Sequence, residues 1–296
     1  MTSRYGTAIE LGLSLVPTSA DLALHRELAV RADELGLDLI GIQDHPYQWR
    51  YLDTWSLIGD LLARTERIRV FPDVANLPLR PPAMLAKQAA TLDVLSQGRF
   101  ELGLGAGAFW DAIGAMGGPV RSGGEALRAL EEALRVIRAF WSGDRTIAVA
   151  GEHYEVRGLH PGPAPAHRIE IWLGVGKPRA LALTGRLADG WVPSLSWATP
   201  ELVPGLVARI DEAAAAAGRE PSEIRRVYNV GGTILDGPVR GLLQGPPEHW
   251  VETLTGFAAD LGFDTFVFWP DDDPRTQLER FAAEVAPALR ADRPDR

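Results

Sequence analysis

No cysteine occurs anywhere in the 296-residue chain, which excludes disulfides, a thiolate nucleophile and any cysteine-based zinc site. Lysine is almost as scarce: Lys87 and Lys177 are the two present, leaving 28 of the 30 basic residues as arginine. With the many alanines, that bias reflects a GC-rich genome rather than a function. No stretch approaches the roughly 18 consecutive apolar residues of a membrane span, and residues 1–10 lack an apolar signal core, so a soluble cytoplasmic protein is expected. Positive charge is also in deficit, with a formal net charge of −9, which argues against wholesale nucleic-acid or membrane binding yet permits a local basic pocket. The six histidines show no metal-ligand spacing, and no metal is expected.

What is present is an alternation. At 46% hydrophobic residues the chain can bury one large core, and an α/β barrel commonly occupies about 250 residues as one domain; residues 1–296 are therefore read as a single domain. Residues 7–16 read as a first strand, followed by Ser19 as a candidate N-cap and Leu24, Leu28 and Leu35 at helical spacing up to Gly36. Further strands fall at residues 38–43, 67–71, 99–104, 169–173, 189–192, 224–234 and 265–269. Helices lie between them, the last at residues 276–289. Ser122 and Glu125 make a Ser-x-x-Glu capping box ahead of Leu127, Leu130, Leu134, Ile137 and Trp141. Residues 143–167 read as an irregular excursion with a hairpin. Eight βα units favour a (β/α)8 TIM barrel with insertion loops at the C-terminal face of its strands.

The chemistry is expected where the apolar run Leu39-Ile40-Gly41-Ile42 stops at Gln43-Asp44-His45-Pro46-Tyr47-Gln48-Trp49. In a parallel barrel, strand tips and the loops after them are free of packing duty and hold the ligands. The motif Gly103-Leu104-Gly105-Ala106-Gly107-Ala108 superficially fits the dinucleotide fingerprint, which requires a helix to start at once. Residues 109–119 contain further glycines and a proline, so residues 106–121 read as a long substrate-facing loop. Gly174-Val175-Gly176-Lys177-Pro178 places a glycine turn and a cation at a helix N-terminus, a combination that suits an anion or a plain tight turn.

Several segments together resemble the bacterial luciferase-like family of flavin- and deazaflavin-dependent oxidoreductases: the Asp44-to-Trp49 segment, Asn76-Leu77-Pro78-Leu79-Arg80-Pro81-Pro82, the run AKQAATLDVLSQGRFELGLGAG, Phe140-Trp141-Ser142-Gly143, and Ala188-Asp189-Gly190-Trp191. The resemblance runs from about Glu10 to Pro270. It implies a barrel with an insertion region, a homodimer, and FMN or the deazaflavin coenzyme F420 as cofactor. Asp44, His45 and Trp49 resemble the deazaflavin sugar dehydrogenase branch, in which the Asp and His lie beside the cofactor ring. By the same resemblance the bond Asp73-Val74 is a cis peptide behind that ring, and Gly176, Lys177 and Pro178 hold the phosphate tail, with Arg179 and Arg186 as further cations. Asn76, Gly105, Ala106, Gly107 and Gly174 complete the implied cofactor set. Trp49, Ala108, Phe109, Trp110, Trp197 and Trp269 are the candidates for substrate walls, with the core as the alternative place for Trp110, Trp197 and Trp269. One departure stands out: where the sugar dehydrogenases carry a glutamate acid, this chain has Ala108, which speaks against a sugar-phosphate substrate.

The expected function is hydride transfer between bound F420 and a small organic substrate. His45 would be the acid/base, since imidazole alone titrates near neutrality unperturbed; Asp44 would orient it or hydrogen-bond the ring. A second reading is an FMN-dependent monooxygenase fed by a separate cofactor reductase, and a third is a non-catalytic flavin- or ligand-binding barrel.

Overall fold

Apolar strands and amphipathic helices alternate along the chain, and in the computed structural model, which describes residues 1–290, they close into a barrel. The order is β1 (Glu10–Leu15), α1 (Leu22–Glu34), β2 (Leu39–Ile42), α2 (Thr54–Leu62), β3 (Arg69–Pro72), β4 (Ala75–Asn76), α3 (Pro82–Ser96) and β5 (Leu102–Gly105). Next come α4 (Trp110–Ala115), α5 (Gly123–Phe140), the hairpin of β6 (Ile147–Val149) and β7 (Val156–Leu159), β8 (Ile171–Leu173), α6 (Pro178–Leu187), β9 (Gly190–Trp191) and α7 (Val203–Ala216). The chain ends with β10 (Arg225–Ile234), β11 (Gln244–Gly245), α8 (Pro247–Gly256), β12 (Thr265–Pro270) and α9 (Pro274–Arg280), the last helix continuing through a π turn to residue 290.

Among the described residues the barrel strands pair in parallel in the order β3-β2-β1-β12-β10-β9-β8-β5-β4. β3 and β4 are the two halves of one barrel strand, interrupted at Asp73-Val74, and Val70 bridges to Phe100 to complete the ring. Eight strand positions thus surround the axis, as expected of a TIM barrel. Two local expectations need correction. Ser19 opens a short 3-10 turn, and Asp21 is the residue preceding α1. Residues 106–121 are not all loop, because α4 forms inside them after Phe109 adopts a left-handed conformation with φ 55°.

Side chains on each strand alternate between the helix-facing core and the barrel interior. The interior falls into three layers. At the N-terminal end Glu10, Arg69, Glu101, Glu170 and Arg225 form an ionic layer, with Arg225 3.0 Å from both Glu10 and Glu170 and Arg69 3.2 Å from Glu101. Above it Leu39, Phe71, Trp172, Val192, Val227 and Val267 make an apolar layer. Two residues further along the strands, the layer at the C-terminal end is polar or small: Ser14, Gly41, Asp73, Gly105, Gly174, Ser194, Asn229 and Trp269.

Candidate active site

The tip of β2 carries Asp44, whose carboxylate is only 2% exposed. It accepts hydrogen bonds from Arg80 Nε and Nη2, both at 2.7 Å, and from the Asn76 backbone N–H at 2.9 Å. Arg80 in turn reaches Asp53, the N-cap of α2, at 2.7 Å. A bidentate guanidinium supplies the charge and the paired donors that a buried carboxylate needs. Asp44 therefore ties the β2 tip to β4 and α2, and makes no hydrogen bond to His45. The partner of His45 is Tyr47, whose hydroxyl lies 2.7 Å from Nδ1. The Phe109 ring stands edge-on to the imidazole at 5.8 Å between centroids. Burial lowers the His45 pKa, opposed in part by the charge of Asp44. Burial, helped by the same charge, pushes the Tyr47 phenol up to about 12. At neutral pH the pair is an uncharged imidazole beside a protonated phenol.

The Asp73-Val74 peptide bond is cis, as the resemblance implies. Val74 turns its side chain across the mouth of the barrel, where a Cβ at Gly105 or Gly174 would fall 2.9 or 2.8 Å from it; these glycines leave Val74 its place. Beside Val74 opens a cavity of about 640 Å³, a volume typical of ligand sites. His45, Asn76 and the glycine turn after β5 line it, together with Gly123 and Gly124 at the start of α5 and Lys177 and Pro178 at the start of α6. Asn76 Oδ1 is buried without a hydrogen-bond partner among the described residues. Lys177 precedes α6 as its N-cap, with Pro178 in the first turn; Ala180 and Leu181 donate their N–H groups to the Lys177 carbonyl, both at 2.9 Å, which leaves the Arg179 N–H and the positive end of the helix beside a lysine in the cavity wall.

The sequence model of the luciferase-like monooxygenase family matches residues 2–236. The chain belongs to this family. Among characterised relatives it is 29% identical to an F420-dependent glucose-6-phosphate dehydrogenase of Microbacterium testaceum, over 89% of this chain and 92% of that protein. It is 30% identical to a protein of the same name from Nocardia farcinica, over 90% and 93%. Among solved structures, an F420-dependent secondary alcohol dehydrogenase in complex with an F420-acetone adduct superposes with a TM-score of 0.85 at 17% identity, covering 96% of this chain and 99% of that one. The F420-dependent tetrahydromethanopterin reductase of Methanopyrus kandleri gives a TM-score of 0.82 at 18% identity, covering 95% and 99%. These two likenesses concern the fold.

On this luciferase-like barrel the structure gathers most of the residues singled out from sequence. Asp44, His45, Val74, Asn76, Gly105, Ala106, Gly107, Ala108, Trp110, Gly174, Gly176, Lys177 and Pro178 all line the cavity. Arg179 joins them, whereas Arg186 lies 3.7 Å from Glu131 in a surface ion pair. Trp49, Phe109, Trp197, Trp269 and Asp73 are not among the lining residues. Trp49 is 84% exposed, with the Arg50 guanidinium over its ring. Trp197 packs over Gly176, Phe109 touches His45 and Tyr47, and Trp269 and Asp73 belong to the barrel interior. Two residues that shape the site had no assigned role in the sequence. Tyr47 stood beside His45 in the quoted motif, and Arg80 lay in the quoted Asn76-to-Pro82 segment; the buried acid at Asp44 was the signal that a cation was required.

Proposed function

We propose that the chain is an F420-dependent oxidoreductase transferring hydride between the deazaflavin and a small organic substrate. The observation that carries this reading is one cavity that joins His45 to Lys177 and the start of α6 and is lined by Asn76, whose Oδ1 is buried and unpaired among the described residues. These residues fit the cofactor. Val74 offers an apolar support for a ring, Asn76 Oδ1 an acceptor for a ring N–H, and Lys177 with the α6 N-terminus a seat for a phosphate. The names of the relatives support the same cofactor. When bound, F420 supplies a carbon that gives or takes hydride and does no productive oxygen chemistry.

His45, uncharged at neutral pH, would take a proton from a substrate hydroxyl or return it to a carbonyl. With Nδ1–H donating to the Tyr47 hydroxyl oxygen, the free lone pair stands on Nε2, which would be the exchanging atom. Asp44 would act through what it holds, fixing Arg80 and the backbone of Asn76. The reading also takes the chain as one domain working in the cytoplasm as a homodimer, its cofactor recycled by a separate reductase, with no nucleic-acid or membrane partner. Among the described residues no helix is long and apolar enough to cross a membrane.

Titration of the apo protein with F420 and with FMN at matched salt is the test. F420 is expected to bind at least about tenfold tighter, roughly 1.4 kcal/mol. Equal or tighter FMN binding would replace this reading by the flavin monooxygenase.

A further inference from the structure

The C-terminal layer of the barrel interior contains more unpaired polar atoms than a packed core tolerates. Ser14 Oγ from β1, Asp73 Oδ2 from the end of β3, Asn229 Oδ1 from β10 and Trp269 Nε1 from β12 are each buried with no hydrogen-bond partner among the described residues. One link joins two of these side chains: Asn229 Nδ2 donates to Asp73 Oδ1 at 3.2 Å, and the same amide lies 3.3 Å from Ser194 Oγ. Alternation along the strands turns all four side chains toward the axis, directly above the apolar layer. The two layers differ in access. Ser14, Asp73 and Asn229 are 7%, 9% and 6% exposed, whereas Leu39, Phe71, Val227 and Val267 beneath them are 0%. The four orphan atoms are themselves shielded from solvent; the layer meets the cavity beside Val74 at Gly105 and Gly174, and the apolar layer closes it below.

We propose that Ser14, Asp73, Asn229 and Trp269 form the substrate subsite, built for an uncharged alcohol or carbonyl compound. The proposal rests on the oxidoreductase reading above and names its substrate class. Trp269 offers a donor, Asn229 Oδ1 an acceptor, and Ser14 either. Burial, partly offset by the Asn229 amide, pushes the Asp73 carboxyl up to about 7, so near neutrality it can give or accept a hydrogen bond. A hydroxyl or carbonyl oxygen satisfies such a set. A phosphate does not, for the layer itself holds no cation. The cations lining the adjoining cavity, Lys177 and Arg179, stand at α6, where the cofactor phosphate is placed. A sugar phosphate is thereby excluded on charge, which agrees with Ala108 occupying the place of a glutamate acid.

The test titrates the full-length protein, with and without F420, with cyclohexanone, cyclohexanol, cyclohexylamine and glucose 6-phosphate by ligand-observed NMR, and follows turnover of the alcohol with F420. The ketone and alcohol are expected to bind measurably and at least tenfold tighter than the amine or the sugar phosphate. Asp73→Leu should weaken ketone binding at least tenfold, with the turnover loss carried by KM more than by kcat, and Asp73→Asn should restore binding to within threefold. Should Asp73→Leu fail to fold, Ser14→Ala is expected to weaken the ketone at least threefold. Tighter binding of the sugar phosphate or the amine would overturn the proposal, as would ketone binding indifferent to both Ser14→Ala and Asp73→Leu. F420 affinity, read separately by fluorescence, judges the cofactor: ketone binding that depends on these side chains without F420 binding sinks the cofactor reading and leaves the subsite standing.

Discussion

At the scale of single residues, the proposed function separates a proton-transfer pair from an electrostatic tether. His45 and Tyr47 make the pair, and His45→Asn is expected to lower kcat roughly 10²-fold while the circular dichroism spectrum stays unchanged. Because burial lowers the His45 pKa, the uncharged base is lost only as pH falls, and the acid limb of kcat/KM for alcohol oxidation should lie below pH 6.5. A limb above that value would assign it to another group. Asp44 and Arg80 make the tether. Asp44→Asn strips a nearly dry guanidinium of its bidentate partner and should cost about 3 kcal/mol in urea unfolding, as for other broken buried pairs; a loss below about 1 kcal/mol would show Arg80 re-paired through Asp53. Much of this was legible. An apolar run that ends in Asp-His-Pro marks a strand tip without any alignment. The Asp44–Arg80 bond was not, because its partners stand 36 residues apart and no local periodicity carries such a pairing.

Elements show the same division. The Ser122–Glu125 box caps α5 as its spacing requires, with the Ser122 N–H donating to Glu125 at 2.8 Å. The hairpin of β6 and β7 lies within the irregular excursion where it was expected. What ties the end of that excursion down is a long-range cluster: His167 Nδ1 lies 2.7 Å from Asp93 on α3, and Asp93 also accepts the backbone N–H groups of Ala166 and His167. Hydrogen bonds to Asp93 and then Glu101 raise the His167 pKa to about 10. A raised folded pKa means that the contribution is complete below pH 6.5 and is lost as pH rises toward 10. The urea midpoint of the wild type should therefore fall over that interval more steeply than that of His167→Gln; parallel curves would remove His167 as the cause. The helix α4 escaped the sequence because its six residues sit among glycines, too short to show a period.

For the molecule as a whole, alternating strands and helices made the closed barrel readable, whereas the layering of its interior was hidden. Strands buried on both faces carry near-continuous apolar runs, so nothing in the pattern says which residues point inward. Ser14 and Asn229 lie on the first strand and on β10, far apart in the chain, and closure of the barrel brings them to one axis. That layering has a consequence for traffic. Among the described residues the ionic layer and the apolar floor fill the far end of the barrel, which makes the subsite proposed above a blind well entered from the strand tips. Two molecules that share one doorway must take turns, the smaller lying deeper and leaving only as fast as the larger allows. Steady-state kinetics should accordingly be sequential with an obligatory order, and excess F420 should inhibit competitively against the small substrate by closing the well before it is filled. A random-order pattern, with neither reactant hindering the other, would show that the well has a second way in.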